Sequence, residues 1–291
     1  MDSLYDFVIA NPEATRQFSC RGILFLKMDC PRTLKFDDWN AHNCFIHVLN
    51  GSKCLYTRKK SWEMKTGSAF FIKKGAITVE KIGKDPLCAL MFFVPDQYIR
   101  CFMKENKNVA SARVSIECSD DQVIPVSTTP VMQAFYDSVL SYFESGTVPG
   151  ENLLELKVRE LLLNIITSEN NVPLIRYFWR LAQDGLDDLR QIMEDNCLYN
   201  LDLEQYARLC NRSLSKFKRD FAATFNESPG RWLLEKRIEH AQRLLIQTDN
   251  QIIDVALESG FTNVSHFDRV FKESTGISPM KYRKATLAAV G

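Results

Sequence analysis

The sequence predicts an α+β chain: an N-terminal β-barrel with helices after it, then an all-α C-terminal part of two helix-turn-helix units joined by a linker helix. Three observations predict it. Short apolar segments separated by turn residues fill roughly the first 125 residues. From Pro130 onward the apolar residues recur at helical spacing instead. The last hundred or so residues contain a repeat with a period of 50.

The strand segments come first. Residues 22–28, 44–49, 53–56, 69–72, 77–82 and 88–94 are rich in Ile, Val, Phe, Leu, Cys and Tyr. Asn50-Gly51, Thr66-Gly67, Lys74-Gly75 and Gly83-Lys84-Asp85-Pro86 punctuate them. Asn50-Gly51 between two apolar runs predicts a hairpin, because both residue types tolerate positive φ. Many short strands at such spacing predict a barrel or sandwich. Met132, Phe135, Val139, Leu140 and Phe143 then mark a first helix. A second, over 152–168, carries Leu or Ile around most of its circumference, so it must be buried on two sides. Its second side lies either within its own chain or on a second copy; Leu156, Leu163 and Ile166 are the candidate dimerisation residues. A third helix over 174–183 ends at Asp184-Gly185, the expected linker. The expected domains are therefore 1–184 (barrel to about 125, helices about 130–183) and 185–287, with a tail at 288–291.

Charge and cysteines bound the partners. From Asn200 onward there are 14 Lys+Arg against 11 Asp+Glu, although the whole chain is nearly neutral at +1. A basic C-terminal part fits a nucleic-acid-binding end. The nine cysteines include no C-x-x-C pair and are odd in number, which argues against a disulfide framework or a zinc site. The N-terminus lacks the basic and apolar regions of a signal peptide, and no apolar run approaches the roughly 20 residues that cross a bilayer. These features predict a cytoplasmic chain that does not engage a membrane. No Gly-x-Ser-x-Gly and no phosphate-cradling Gly loop is present, so an enzyme is not expected.

In the repeat, Ser215, Phe217, Arg219 and Phe221 match Ser265, Phe267, Arg269 and Phe271; Ser228-Pro229 matches Ser278-Pro279, and Trp232 matches Tyr282. Ala207 and Asn211 precede the first copy as Ala256 and Gly260 precede the second. A small Ala lets two helices cross closely, and four residues later the turn needs a left-handed residue, which Gly adopts freely and Asn tolerates. The turn is one residue longer in the second copy. Ser213 and Thr262 are the expected N-caps of the second helices. Leu203, Tyr206, Leu209, Phe217 and Phe221 are expected in the first small core; Ile253, Val255, Leu257, Phe267 and Phe271 in the second. Between the copies, 231–248 has no Gly or Pro and carries Ile238, Ala241, Leu244 and Leu245 at helical spacing, a linker helix opened by Ser228-Pro229.

Two stretches carry a resemblance. They are Arg237-Ile-Glu-His-Ala-Gln-Arg-Leu-Leu and the run from Ile253-Asp-Val-Ala-Leu-Glu-Ser-Gly-Phe-Thr-Asn-Val-Ser-His-Phe-Asp-Arg-Val-Phe to Gly276-Ile-Ser-Pro-Met-Lys-Tyr-Arg. They make residues 187–284 resemble the DNA-binding domain of the AraC/XylS family of bacterial transcription regulators. Asn211 departs from the Gly usual at that turn. The resemblance implies a regulator, as a rule an activator, that holds double-stranded DNA as a homodimer and works with RNA polymerase. The recognition helices would enter successive major grooves roughly 34 Å apart. The outward face of the second helix offers Ser213, Ser215, Lys216, Lys218 and Arg219 in the first copy. In the second it offers Thr262, Asn263, Ser265, His266, Arg269 and Lys272. Arg219 and Arg269 are the candidate base readers, or else pair with a phosphate or a nearby Asp; the lysines suit phosphates.

The N-terminal segments Phe45-Ile-His-Val-Leu-Asn-Gly and Met64-Lys-Thr-Gly-Ser-Ala-Phe-Phe-Ile-Lys-Lys-Gly resemble the cupin-like barrel that precedes this domain in many family members. Only His42 and His47 stand in that part, without the ligand set of metal-dependent cupins, so no cofactor or metal is expected. The layout is similar to the type III secretion activators of the family. Two readings of the N-terminal part stay open: a pocket for a small effector, or a surface for a regulatory protein and self-association.

Overall fold

The computed structural model describes residues 3–30, 35–57, 60–82, 86–107, 121–183 and 189–290. The Gly83–Asp85 part of the expected turn, Cys118 and the expected linker Asp184-Gly185 lie outside the described residues. The chain forms two compact units, Met1–Leu186 and Asp187–Gly291.

Among its described residues the first unit holds ten strands: β1 (Arg16–Cys20), β2 (Ile23–Cys30), β3 (Lys35–Asn40), β4 (Asn43–Asn50), β5 (Ser52–Tyr56), β6 (Ser61–Lys65), β7 (Ala69–Ile72), β8 (Gly75–Ile82), β9 (Leu87–Val94) and β10 (Val123–Val126). They build two antiparallel sheets, β1-β2-β9-β4-β7-β10 and β3-β8-β5-β6. The helices are α1 (Leu4–Ala10), α2 (Asp96–Glu105), α3 (Pro130–Ser145), α4 (Glu151–Thr167) and α5 (Val172–Ala182). The period-2 geometry of a strand sends alternate side chains to opposite faces. Leu24 and Leu26 of β2, with Met91 and Phe93 of β9, join the core shared with Leu55, Met64, Ile77 and Val79 of the smaller sheet. Phe25, Leu90, Phe92 and Val94 face the other way, onto α3, α4 and α5. A sheet covered on both faces explains why β4 and β9 read as nearly continuous apolar runs.

The expected hairpin at Asn50-Gly51 is not one. β4 pairs with β9 and β7, whereas β5 pairs with β6 and β8. The chain changes sheet at this corner. Gly51 (φ +86) lies where a Cβ would come within 2.8 Å of the Pro86 carbonyl oxygen, so the corner closes on β9's entry rather than on its own strand. The tight hairpin joins β1 to β2 through Arg21 (φ 48) and Gly22 (φ 78).

On α4, Leu154, Val158, Leu161, Leu162, Ile165 and Ile166 turn into the core of their own unit, while Leu153, Leu156 and Leu163 are exposed. Ile166, read as a dimerisation residue, is thus corrected: it is fully buried against its own unit and has no surface to offer. His47 also points to this core, stacked on Tyr136 of α3 at 3.9 Å and 3° between planes.

The second unit is helical: α6 (Leu189–Asn196), α7 (Leu203–Leu209), α8 (Leu214–Phe225), α9 (Pro229–Gln247), α10 (Ile252–Glu258), α11 (Val264–Thr275) and α12 (Pro279–Val290). Among the described residues no helix is long and apolar enough to cross a membrane.

Candidate nucleic-acid interface

The two helix pairs α7–α8 and α10–α11 are built alike. Ala207 and Ala256 are buried where each pair crosses. The turn residues Asn211 (φ 52) and Gly260 (φ 82) are both left-handed. The next amide in each copy donates back to the crossing alanine: Arg212 N to Ala207 O at 2.9 Å and Phe261 N to Ala256 O at 3.0 Å. Asp202 and Gln205 form a reciprocal capping box at the start of α7.

Ser213 Oγ caps α8, accepting from Lys216 N at 3.4 Å. Thr262 is not the cap of α11. Asn263 Oδ1 takes that place, accepting from His266 N at 3.0 Å, and Thr262 stands exposed one residue before it. The physical reason is the longer second turn, whose extra residue is absorbed entirely before the cap. From there on α8 and α11 are both 12 residues long and start 50 apart.

Phe217, Phe221, Phe267 and Phe271 are fully buried, so the aromatic pairs pack the helices and leave the opposite faces free. Phe221 meets Trp232 edge-on at 5.9 Å, and Phe271 meets Tyr282 edge-on at 5.4 Å, the matching contact in each copy. The second core differs from its expectation at two positions. Ile253 and Leu257 are 48% and 55% exposed. α10 begins at Ile252, so the inward stripe is Ile252, Val255 and Ala256, with Phe261 and Val270 completing the cluster.

All eleven candidate DNA-binding side chains, Ser213, Ser215, Lys216, Lys218, Arg219, Thr262, Asn263, Ser265, His266, Arg269 and Lys272, are exposed. The side chains of Arg219 and Arg269 are 76% and 66% exposed, at equivalent positions of their helices. Each has one loose carboxylate neighbour: Arg219 Nε lies 3.6 Å from Asp220 Oδ1, and Arg269 Nη1 lies 3.7 Å from Glu273 Oε1. Exposed pairs at such distances hold little energy and yield readily to a phosphate or a base edge. Asp220 is also gripped from behind by Arg212 Nε at 2.9 Å, and this hydrogen bond leads the influences that hold its carboxyl below the usual range.

Sequence reasoning missed two arginines that tie neighbouring segments to the linker helix within the helical unit. Arg237 of α9 donates to Cys197 O (2.9 Å) and Tyr199 O (2.8 Å) beyond the end of α6. Arg283 of α12 donates to Leu245 O (3.2 Å) and Asn250 O (2.7 Å) at the end of α9. The turn at Gly260 lies so near this junction that a Cβ would come within 2.5 Å of Leu198 O and 3.0 Å of Arg237 Nε. No sequence period marks such contacts. A signal did exist for two further exposed cations, Arg231 and Lys281, which hold the same register in the first turns of α9 and α12. No group of three or more His, Cys, Asp or Glu that could hold a metal occurs among the described residues.

Two outward-facing helices at matched register define a DNA-binding regulator of transcription. Comparison with known proteins agrees. Residues 43–177 match the ExsA N-terminal regulatory domain, and residues 206–285 match a helix-turn-helix domain. An uncharacterized HTH-type transcriptional regulator of Haemophilus influenzae is 39% identical over 281 residues, covering 84% of this chain and 88% of that protein. The virulence regulon transcriptional activator VirF of Yersinia enterocolitica is 23% identical over 244 residues, covering 84% and 90%. The structure of ToxT from Vibrio cholerae aligns with a TM-score of 0.43 at 14% identity, covering 90% of this chain and 97% of that one. The chain belongs to the AraC/XylS family of helix-turn-helix transcription regulators.

Proposed function

We propose that the chain activates transcription from a bipartite operator, with α8 and α11 lying in successive major grooves of double-stranded DNA. The observation that carries this reading is the matched register of the two helices, with Arg219 and Arg269 outward at equivalent positions. Each guanidinium suits the paired acceptors of a guanine, a contact worth about 1–3 kcal/mol of discrimination. Lys216, Lys218 and Lys272 neutralise phosphates without reading sequence. Ser213, Ser215, Thr262, Asn263, Ser265 and His266 line the groove edge beside them. Residues 185–287 form the DNA-binding domain and residues 1–184 the controlling one; residues 288–290, expected as a tail, continue α12. Activation rests on the likeness to VirF and implies contact with RNA polymerase, in the cytoplasm at the nucleoid.

The test is a gel-shift titration on duplexes that the full-length parent selects from a random pool. Arg219→Ala and Arg269→Ala are each expected to weaken binding to selected DNA about tenfold or more, while binding to unselected DNA changes little. Parent-like binding by both variants sinks the assignment.

The N-terminal unit supports self-association through the exposed side of α4, with Leu156 at 62% and Leu163 at 38% exposure. A second reading, control by a small effector, is favoured by a cavity of about 200 Å³ between the two sheets. Apolar side chains such as Leu55, Ile77 and Val79 line it together with Asp38, Lys53 and Lys73. Thermal-shift screening of the full chain against small molecules separates effector control from protein-partner control.

A further inference from the structure

We infer that Asp268 is a specificity-determining residue of α11, its carboxylate accepting from the amine of a cytosine in the major groove. Lys218, in the same place on α8, can only donate, so the two half-sites differ in sequence. The inference rests on the reading of α11 as a helix lying in that groove, which Arg269→Ala tests separately.

Helical geometry puts Asp268 among the candidate DNA contacts. Phe267, Val270 and Phe271 are buried, and successive residues of a helix are turned by about 100°. Ser265, Asp268 and Lys272 follow one another at steps of three and four, so they form one stripe beside Arg269 and clear of the buried face. All four are exposed. The carboxylate is also uncommitted. Among the described residues no ion pair joins it to Arg269 beside it or to Lys272 one turn on; Arg269 leans instead toward Glu273, at 3.7 Å.

The duplication supplies the comparison. Phe217, Arg219 and Phe221 recur 50 residues later as Phe267, Arg269 and Phe271, buried and exposed alike, whereas Lys218 recurs as Asp268. The scaffold of the motif therefore leaves the sign of the charge open at this position, since the same exposed place carries either one. α8 bears Lys216, Lys218 and Arg219 against Asp220, while α11 bears Arg269 and Lys272 against Asp268 and Glu273. A cation here neutralises a phosphate without reading sequence. A carboxylate is repelled by the same phosphates, and taking it out of water costs affinity unless a base amine meets it. Cytosine N4 is the suited donor; adenine sets its N7 acceptor beside its own amine, against the second oxygen of a carboxylate. α8 then supplies more of the salt-dependent affinity, and α11 more of the discrimination.

The test uses the full-length chain and duplexes selected by the parent from a random pool, with every base pair of the selected site substituted singly. The base pair at which Arg269→Ala loses discrimination marks the half-site of α11. Asp268→Ala removes the carboxylate, and Asp268→Lys transplants the first copy's residue; circular dichroism checks that both fold. Both are expected to lose discrimination for a C·G pair in that half-site, roughly fivefold or more. Both should also bind unselected DNA more tightly, about threefold for alanine and further for lysine, with the other half-site unchanged. Parent-like discrimination in Asp268→Ala, beside a loss in Arg269→Ala, overturns the inference alone. Tighter binding of unselected DNA without lost discrimination overturns it too, leaving a carboxylate that faces phosphates only. A lost preference for any base other than cytosine likewise refutes the stated contact. Parent-like discrimination in Arg269→Ala removes the groove reading of α11 and the inference with it.

Discussion

Gly260→Ala tests how the second helix-turn-helix is seated. The residue is left-handed at φ +82, and alanine held there costs about 1–2 kcal/mol. The added Cβ would also stand 2.5 Å from Leu198 O and 3.1 Å from Leu198 C, backbone atoms that move only with the segment after α6. That segment is held by the two Arg237 hydrogen bonds to Cys197 O and Tyr199 O. Hydrogen bonds to a charged group are worth about 1.5–3 kcal/mol each, so loosening one adds a term of that size. Together these make an expected loss of about 2.5–5 kcal/mol, or roughly 10–20 °C in the melting of a unit of this size. Asn211→Gly keeps the left-handed conformation of the first turn and is the near-neutral control. Thermal melting reports the size of the loss, and amide exchange over 252–275 locates it. A Gly260→Ala chain that melts within a degree or two of the parent, with unchanged exchange in α10 and α11, would refute the seating of this turn on the Arg237 junction.

Two further outcomes concern the N-terminal unit. Leu156→Glu places a charge on the exposed side of α4, the face proposed for self-association, so the sedimenting mass is expected to fall to that of a monomer without loss of the melting transition; a mass equal to the parent's refutes that face as the interface. Burial pushes the Asp38 carboxyl up from 3.8 to about 6, although Leu4 N and Asn40 donate to it. A raised carboxyl gives its stability in full below about pH 4 and loses it as pH rises through about 6, a change of about 3 kcal/mol. His47, whose pKa burial lowers, acts in the opposite direction, losing stability as pH falls below its ordinary 6.5. The parent-minus-Asp38→Asn difference in denaturant unfolding across pH 4–7 isolates the carboxyl, and a flat difference refutes its burial.

The duplicated DNA-binding part was legible because its signals are local. Phe at i and i+4, a small residue at the crossing, a left-handed residue four further on and Ser-Pro opening the next helix are each set by neighbours within one or two turns. The same holds for β2, β4 and β9, whose apolar runs follow from burial on both faces. The polar strands β1, β3 and β6 escaped notice because they lie outermost in their sheets or present mostly exposed side chains.

By itself, then, the sequence determined the class of each half, the repeat and the outward arginines, since helical period and turn chemistry depend on adjacent residues. Tertiary structure alone decided which strand Asn50-Gly51 leads to, that Ile166 turns inward while Leu156 turns out, and that Ile253 and Leu257 stay exposed. It also decided that Asn263 rather than Thr262 caps α11, and that Arg237 and Arg283 tie neighbouring segments to the linker helix. In each of these the deciding contact lies with a distant segment or depends on where a helix begins. A one-residue change of register rotates a side chain by about 100° on a helix, enough to carry it from core to solvent.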